Sequence, residues 1–237
     1  MADRTKARPF TTAKVYDIML VVGLTGGIAS GKSTVSRCFQ EAGIPVVCAD
    51  ELARNAVRPG SPGLEEIRRV FGDNLVDALG NLDRKAMADI VFRDESQRKI
   101  LESIIHPRVA EEKSRMLGIL EAQGHSIVIV DVPLLYESDW QEHFDLVVVV
   151  YVPRRIQEQR LMDRDGISSE EARIRIKAQL SIEKKKELAH RLVDNADDVE
   201  HTCLQVKRLL EELRALALKK KQSEKTDGVS SRRSDGP

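Results

Sequence analysis

Lys32 and Ser33 close the run Gly26-Gly27-Ile28-Ala29-Ser30-Gly31-Lys32-Ser33, which fits the pattern G-x-x-x-x-G-K-S/T at every fixed position. Glycines let the backbone turn tightly and present successive N–H groups to an anion. A helix opening there adds the positive end of its dipole. The Lys32 ammonium then reaches β- and γ-phosphates, the Ser33 hydroxyl is a ligand for Mg²⁺, and Thr34 falls near the α-phosphate. These residue types at this spacing cradle a nucleoside triphosphate. The plain alternative is a glycine-rich turn in an unrelated α/β protein. The flanks argue against it: Met19 to Leu24 reads as a buried strand entering the loop, and Thr34 to Gln40 as a helix leaving it.

Phosphoryl transfer asks a protein chiefly for positioning and positive charge. A hydroxyl acceptor also needs a carboxylate to orient it and take its proton. Asp50 follows a second expected strand, Ile44 to Cys48, at the carboxyl edge where parallel sheets bind ligands. Read from the residues alone, it serves equally as an N-cap for the helix holding Leu52, Ala53 and Arg54. Asp131 ends another expected strand and suits a metal-bound water. Arg160 and Arg164 share a helical face, and their planar guanidinium groups pair phosphate oxygens without losing charge.

The elements that must position these groups are legible as short apolar runs. Ser126 to Asp131 and Asp145 to Val152 are nearly continuous and read as strands buried on both faces. Arg191 to Val193 makes a short fifth strand. Strands alternating with helical patterns predict an α/β fold: three layers, a parallel sheet with helices on both faces. Two segments interrupt the alternation. From about 62 to 124 only amphipathic helical patterns occur, a helical insertion suited to binding an acceptor. From about 153 to 180 the chain is rich in arginine and lysine, with a turn at Asp165-Gly166 and a capping box from Ser168 to Glu171. That segment reads as a lid closing over phosphates or as a solvated charged surface. A last helix runs from about Asp197 to Leu218.

Composition bounds the rest. The 237 residues are 41% hydrophobic, enough for one full core, and 38 basic residues balance 38 acidic ones. Net charge therefore gives no argument for nucleic-acid or membrane binding. No apolar run approaches the roughly 20 residues that span a bilayer. Cys38, Cys48 and Cys203 are widely spaced with no C-x-x-C pair, which predicts neither a disulfide framework nor a zinc site and suits a reducing, cytoplasmic setting. Residues 1–18 read as a disordered extension whose basic residues leave a mitochondrial or plastid targeting segment as the alternative. Residues 219–237 read as a disordered basic tail.

The motifs together resemble the dephospho-coenzyme A kinase family. The resemblance rests on Leu24 to Thr34, Ala49-Asp50 with Ala53-Arg54, and Pro59-Gly60. Further matches are Phe71-Gly72, Asp83-Arg84, His106-Pro107 and Pro133-Leu134-Leu135-Tyr136-Glu137. Arg160 to Gly166, Ala178-Gln179 and Asp194-Asn195 complete the set. All run in family order from about 19 to 215. The resemblance implies a P-loop kinase with a five-stranded parallel sheet, a helical CoA-binding insertion and a lid. It implies that ATP phosphorylates the ribose 3′-hydroxyl of dephospho-CoA, with Mg²⁺ at Ser33; Asp131 joins the metal site by its Walker B position at a strand end and not by the resemblance. It assigns Asp50 as general base, with Lys32 and Arg160 serving transfer. It puts Arg164 and Asn195 beside ATP. It places Thr25, Arg54, His106, Arg108, Leu134, Leu135 and Glu137 at the acceptor. His106-Pro107 reads equally as a helix break. Two departures stand out: Cys48 replaces the first acid of an Asp-x-Asp, and Asn195-Ala196-Asp197 replaces Asn-x-Gly.

Two other classes fit less of the sequence. Another P-loop metabolite kinase would lack His106-Pro107 and Pro133-Leu134-Leu135. A catalytically silent nucleotide-dependent binding module would not require Lys32, Ser33, Asp50 and Arg160 together. A switch GTPase should show N-K-x-D, which is absent.

Overall fold

The computed structural model describes residues 18–230. Five strands form one fully parallel sheet: β1 (Leu20–Gly26), β2 (Val46–Cys48), β3 (Ile127–Asp131), β4 (Leu146–Tyr151) and β5 (Arg191–Asp194), in the order β2-β3-β1-β4-β5. β1 and β3 are buried along their whole length, as their continuous apolar runs require. The register sets Leu24 beside Asp131 and Gly26 beside Val150, so the loop after β1 leaves the middle of the sheet at its carboxyl edge. All five expected strands are present, and their parallel pairing makes this the expected α/β fold.

Nine α-helices accompany the strands among the described residues: α1 (Lys32–Glu41), α2 (Ala49–Ala56), α3 (Pro62–Phe71), α4 (Arg84–Arg93), α5 (Glu95–Ala122), α6 (Arg154–Asp165), α7 (Ser169–Lys177), α8 (Ile182–Leu188) and α9 (Val199–Ser230). Two compact units result. Residues 18–48 with 118–230 form the sheet unit, and Ala49–Leu117 forms a helical one. In the sheet unit, Leu24, Phe39, Ile129, Val148, Val206 and Leu213 belong to one core in which α1 and α9 pack against the strands. In the helical unit, Val57, Ile67, Leu75, Met87 and Ile104 form a separate core. The Ser61 hydroxyl accepts from Leu64 N and caps α3, with Pro62 at its first position; the Asp83 carboxylate caps α4.

Three features differ from the sequence reading. Pro107 lies inside α5 and does not break it; the Arg108 guanidinium donates to the Ile104 carbonyl at 2.5 Å. α9 continues to Ser230, well past Leu218, so the segment from 219 to 230 is helical and not a disordered tail. At the start of that extension Lys220 Nζ donates to Met19 O at 2.9 Å and to Asp145 Oδ2 at 2.8 Å, a tertiary contact that no helical periodicity announces. Residues 231–237 and the N-terminal stretch 1–17 lie outside the described residues. Finally, Cys38 on α1 and Cys203 on α9 are joined by a disulfide, with Cα atoms 5.5 Å apart across a separation of 165 residues. Spacing along the chain holds no trace of that pair, because the packing of two distant helices creates it.

Candidate active site

β1 ends in the phosphate loop, and α1 begins at Lys32 with Gly31 as its N-cap in the left-handed region, φ +81°. The loop from Gly26 to Ser33 lines a cavity of about 450 Å³, together with Pro133, Arg160, Arg164 and Gln179. The first-turn N–H groups of α1 and its dipole make this an anion site. The Ser30 hydroxyl is buried in its wall with no hydrogen-bond partner among the described residues. A phosphate oxygen would supply one.

Lys32 Nζ is ion-paired with Asp131 Oδ1, and Ser36 Oγ donates to Asp131 Oδ2 at 3.0 Å. Asp131, nearly buried at the carboxyl end of β3, thus holds the loop lysine in place. Arg160 on α6 reaches the cavity, and no carboxylate pairs with it among the described residues. Arg164 also lines the cavity but is bonded to Asp165, Nε to Oδ1 at 2.7 Å. α6 packs on α7 through Leu161, Ala172 and Ile176, with Ile28 and Ala29 of the loop against this cluster. Much of the basic character of the segment is spent within it: Arg173 pairs with Glu158 and Arg175 with Asp165.

The loop is supported from outside by groups that the sequence reading left unassigned. Gln179 Oε1 accepts from Ile28 N at 2.8 Å, and Gln157 Nε2 donates to Ile28 O at 2.9 Å. Lys185 on α8 is fully buried; its ammonium lies 2.9 Å from Glu137 Oε1 and donates to Gly26 O at 3.2 Å and Pro133 O at 3.3 Å. Burial pulls the Lys185 ammonium below the usual lysine range, while Glu137 opposes that shift. Two amides and one lysine within a charged stretch carry no periodic signal, so their contacts with the loop are visible only in three dimensions.

Several residues expected at the ligands serve elsewhere. Asn195 is buried; its Nδ2 donates to Ser30 O and its Oδ1 accepts from Thr202 Oγ1, both at 2.8 Å, so both ends of the amide are committed. Thr25 is fully buried and donates to Pro133 O at 3.1 Å, leaving no exposed surface for a substrate. Leu135 is wholly in the core, and Glu137 also accepts from Leu180 N. Of the Pro133-to-Glu137 run, Leu134 is the exposed large apolar side chain. Thr34 follows the cavity wall and is not part of it.

In the helical unit, Asp50 is exposed in the first turn of α2, two residues after β2 ends. Arg54 is exposed in the last turn of that helix. Arg108 lines a second cavity, about 740 Å³, with Arg58, Arg115 and the Pro59-to-Pro62 turn. Its guanidinium also pairs with Glu66 Oε2 at 2.5 Å. His106, two residues earlier, is half-buried, and burial holds its imidazole below the usual histidine range. Burial likewise lowers Lys113 on α5 to about 8.

A parallel α/β sheet that ends its first strand in this loop, with a lysine, a serine and an arginine unpaired among the described residues on one cavity, defines a P-loop kinase. Residues 20–201 match the dephospho-CoA kinase family, and the chain belongs to it. Dephospho-CoA kinase of Anaeromyxobacter dehalogenans is 46% identical over 196 residues, covering 83% of this chain and 93% of that one. The Staphylococcus aureus dephospho-CoA kinase is 45% identical, covering 81% and 92%. Among solved structures, a Thermus thermophilus protein superposes with a TM-score of 0.72 at 34% identity, covering 82% of this chain and 98% of that one. The dephospho-CoA kinase from Campylobacter jejuni gives 0.63 at 29%, covering 81% and 96%.

Proposed function

We propose that this chain transfers the γ-phosphoryl group of ATP to the ribose 3′-hydroxyl of dephospho-CoA, giving CoA and ADP. The observation that carries the reading is the phosphate cavity, lined by Lys32, Ser33 and an Arg160 that has no carboxylate partner among the described residues, in a chain of this family. Lys32 exchanges Asp131 for the β- and γ-phosphates when ATP enters. Arg160 neutralises charge that spreads over the equatorial oxygens in transfer. Asp50 orients the acceptor hydroxyl and takes its proton as the new P–O bond forms and the bond to the β-phosphate breaks. Arg108 and the cavity around it take the acceptor within the helical unit.

The donors also fit magnesium. Ser33 and Asp131 present hard oxygens, and Mg²⁺ takes one or two protein oxygens, completing its shell with water and phosphate. Ser33 and Asp131 would hold it, and when bound it neutralises phosphate charge. Among the described residues no group of three or more histidine, cysteine or carboxylate side chains is placed to hold a metal. A cytoplasmic setting belongs to the same reading. The targeting alternative falls on residues 1–17, outside the described residues. Among the described residues no helix is long and apolar enough to cross a membrane.

The test is ADP release from Mg²⁺-ATP with and without dephospho-CoA, with the product identified by mass. Turnover should require dephospho-CoA and yield CoA. Asp50→Ala should lower kcat by a factor of about 10² or more while ATP affinity stays within about twofold. Measurable ATP binding without acceptor-dependent turnover would move the assignment to another acceptor.

A further inference from the structure

The phosphate loop is gripped at every second carbonyl. Gly26 O accepts from Lys185 Nζ, Ile28 O from Gln157 Nε2 and Ser30 O from Asn195 Nδ2, at 3.2, 2.9 and 2.8 Å. A peptide unit is planar and trans, so a carbonyl pointing one way sends the next residue's N–H the other way. Fixing carbonyls 26, 28 and 30 therefore fixes the amides of Gly27, Ala29 and Gly31. None of those three N–H groups meets a protein acceptor among the described residues, and all three residues line the cavity. The glycines permit the grip. A Cβ at Gly27 would sit 2.1 Å from Gln157 Nε2, and one at Gly31 would sit 2.0 Å from Asn195 Nδ2. Two of the three donors are themselves held, Lys185 by Glu137 and Asn195 by Thr202, whereas Gln157 Oε1 is buried with no hydrogen-bond partner among the described residues.

We propose that Lys185, Gln157 and Asn195 are positioning residues that turn the Gly27, Ala29 and Gly31 amides into the cavity before any nucleotide arrives. The anion site is then preformed, and binding phosphate does not have to order the backbone. Three separate stretches of chain (α6, α8 and the turn after β5) each deliver one donor, so the loop is a joint product of the sheet unit. The proposal rests on the reading of this cavity as a nucleotide-phosphate site.

The experiment uses the full chain with Lys185→Met, Gln157→Met and the rescue variant Lys185→Arg. Two quantities are measured: ADP affinity by calorimetry, and ¹⁵N relaxation of the 27, 29 and 31 amides without nucleotide. Both methionine variants should bind ADP roughly 10- to 100-fold more weakly. The three amides should become mobile while those of β1 stay rigid, and Lys185→Arg should recover most of the affinity. Folded methionine variants with ADP affinity within twofold and unchanged relaxation would overturn the proposal. So would a loss of rigidity spread over the whole sheet. Should Lys185→Met not fold, Gln157→Met decides alone. If the wild type binds no ADP, the nucleotide reading fails separately. Ordered loop amides in that protein would still support the grip, and mobile ones would refute it.

Discussion

Arg160 and Arg164 lie on one face of α6 and both reach the phosphate cavity, yet only one is free to act there. Arg164 is held by Asp165, which also takes Arg175. Arg160 has no carboxylate among the described residues. A guanidinium already paired must give up its partner to meet a phosphate, so its net contribution is smaller. Arg160→Ala should therefore lower kcat/KM by about 10²-fold or more, and Arg164→Ala by less than about tenfold. Steady-state kinetics with ATP varied checks this, and equal losses would contradict the distinction. Spacing alone shows that both arginines share a face. It cannot show which carboxylate each one meets, because Asp165 is the last residue of α6 and its side chain lies within reach of both Arg164 and Arg175 only in the fold. The same limit hid Lys185. In sequence it is the middle of Lys184-Lys185-Lys186, a stretch that looks solvated, whereas in the fold it is buried between two carbonyls and a carboxylate.

At the level of elements, β1, β3 and β4 were legible because burial on both faces demands uninterrupted apolar runs, and parallel pairing follows from βαβ alternation; the strand order came only from the structure. The phosphate loop was legible because its backbone needs fixed residue types. The start of α7 was legible from its Ser168–Glu171 capping box, but the end of α9 was not. α9 looked complete at Leu218, where the leucine stripe stops and Lys219-Lys220-Lys221 begins. Beyond that point Lys220 reaches Asp145 and the Met19 carbonyl at the start of the sheet, and both charged side chains are largely buried. Asp145 Oδ2 in turn accepts from Val21 N at 2.8 Å, so this clip ties α9 to β1. Removing one member of such a pair strands the other. Lys220→Ala should cost about 1–3 kcal/mol in chemical denaturation, with kcat unchanged because the clip lies at the amino-terminal end of β1, away from the loop. A chain ending at Leu218 should show a similar loss. A stability change within error in both would show that the last turns of α9 contribute nothing to the sheet unit.

For the molecule as a whole, the Cys38–Cys203 bond matters most, because it closes most of the sheet unit into one covalent loop. It joins the helix that opens at the phosphate loop to the helix that ends the described chain. In the loop-entropy account, cross-links of this span stabilise by about 4–5 kcal/mol, more than a single side-chain contact supplies. The widely spaced cysteines suggested a reducing setting, where such bonds are uncommon. The two readings meet in a thiol count. Protein purified without reductant, unfolded in guanidinium and titrated, should show one thiol, Cys48, if the bond is present, and three after reduction. Cys203→Ser and reduced wild type should then share a lowered melting temperature, and adding reductant to the variant should change nothing further. Catalysis should survive in both, since Cys38 is packed in the core and faces no ligand. Three thiols in unreduced protein would mean that the pair touches without bonding. In that case Cys203→Ser should cost only what replacing one packed sulfur costs, and the cytoplasmic setting would gain an argument it now lacks.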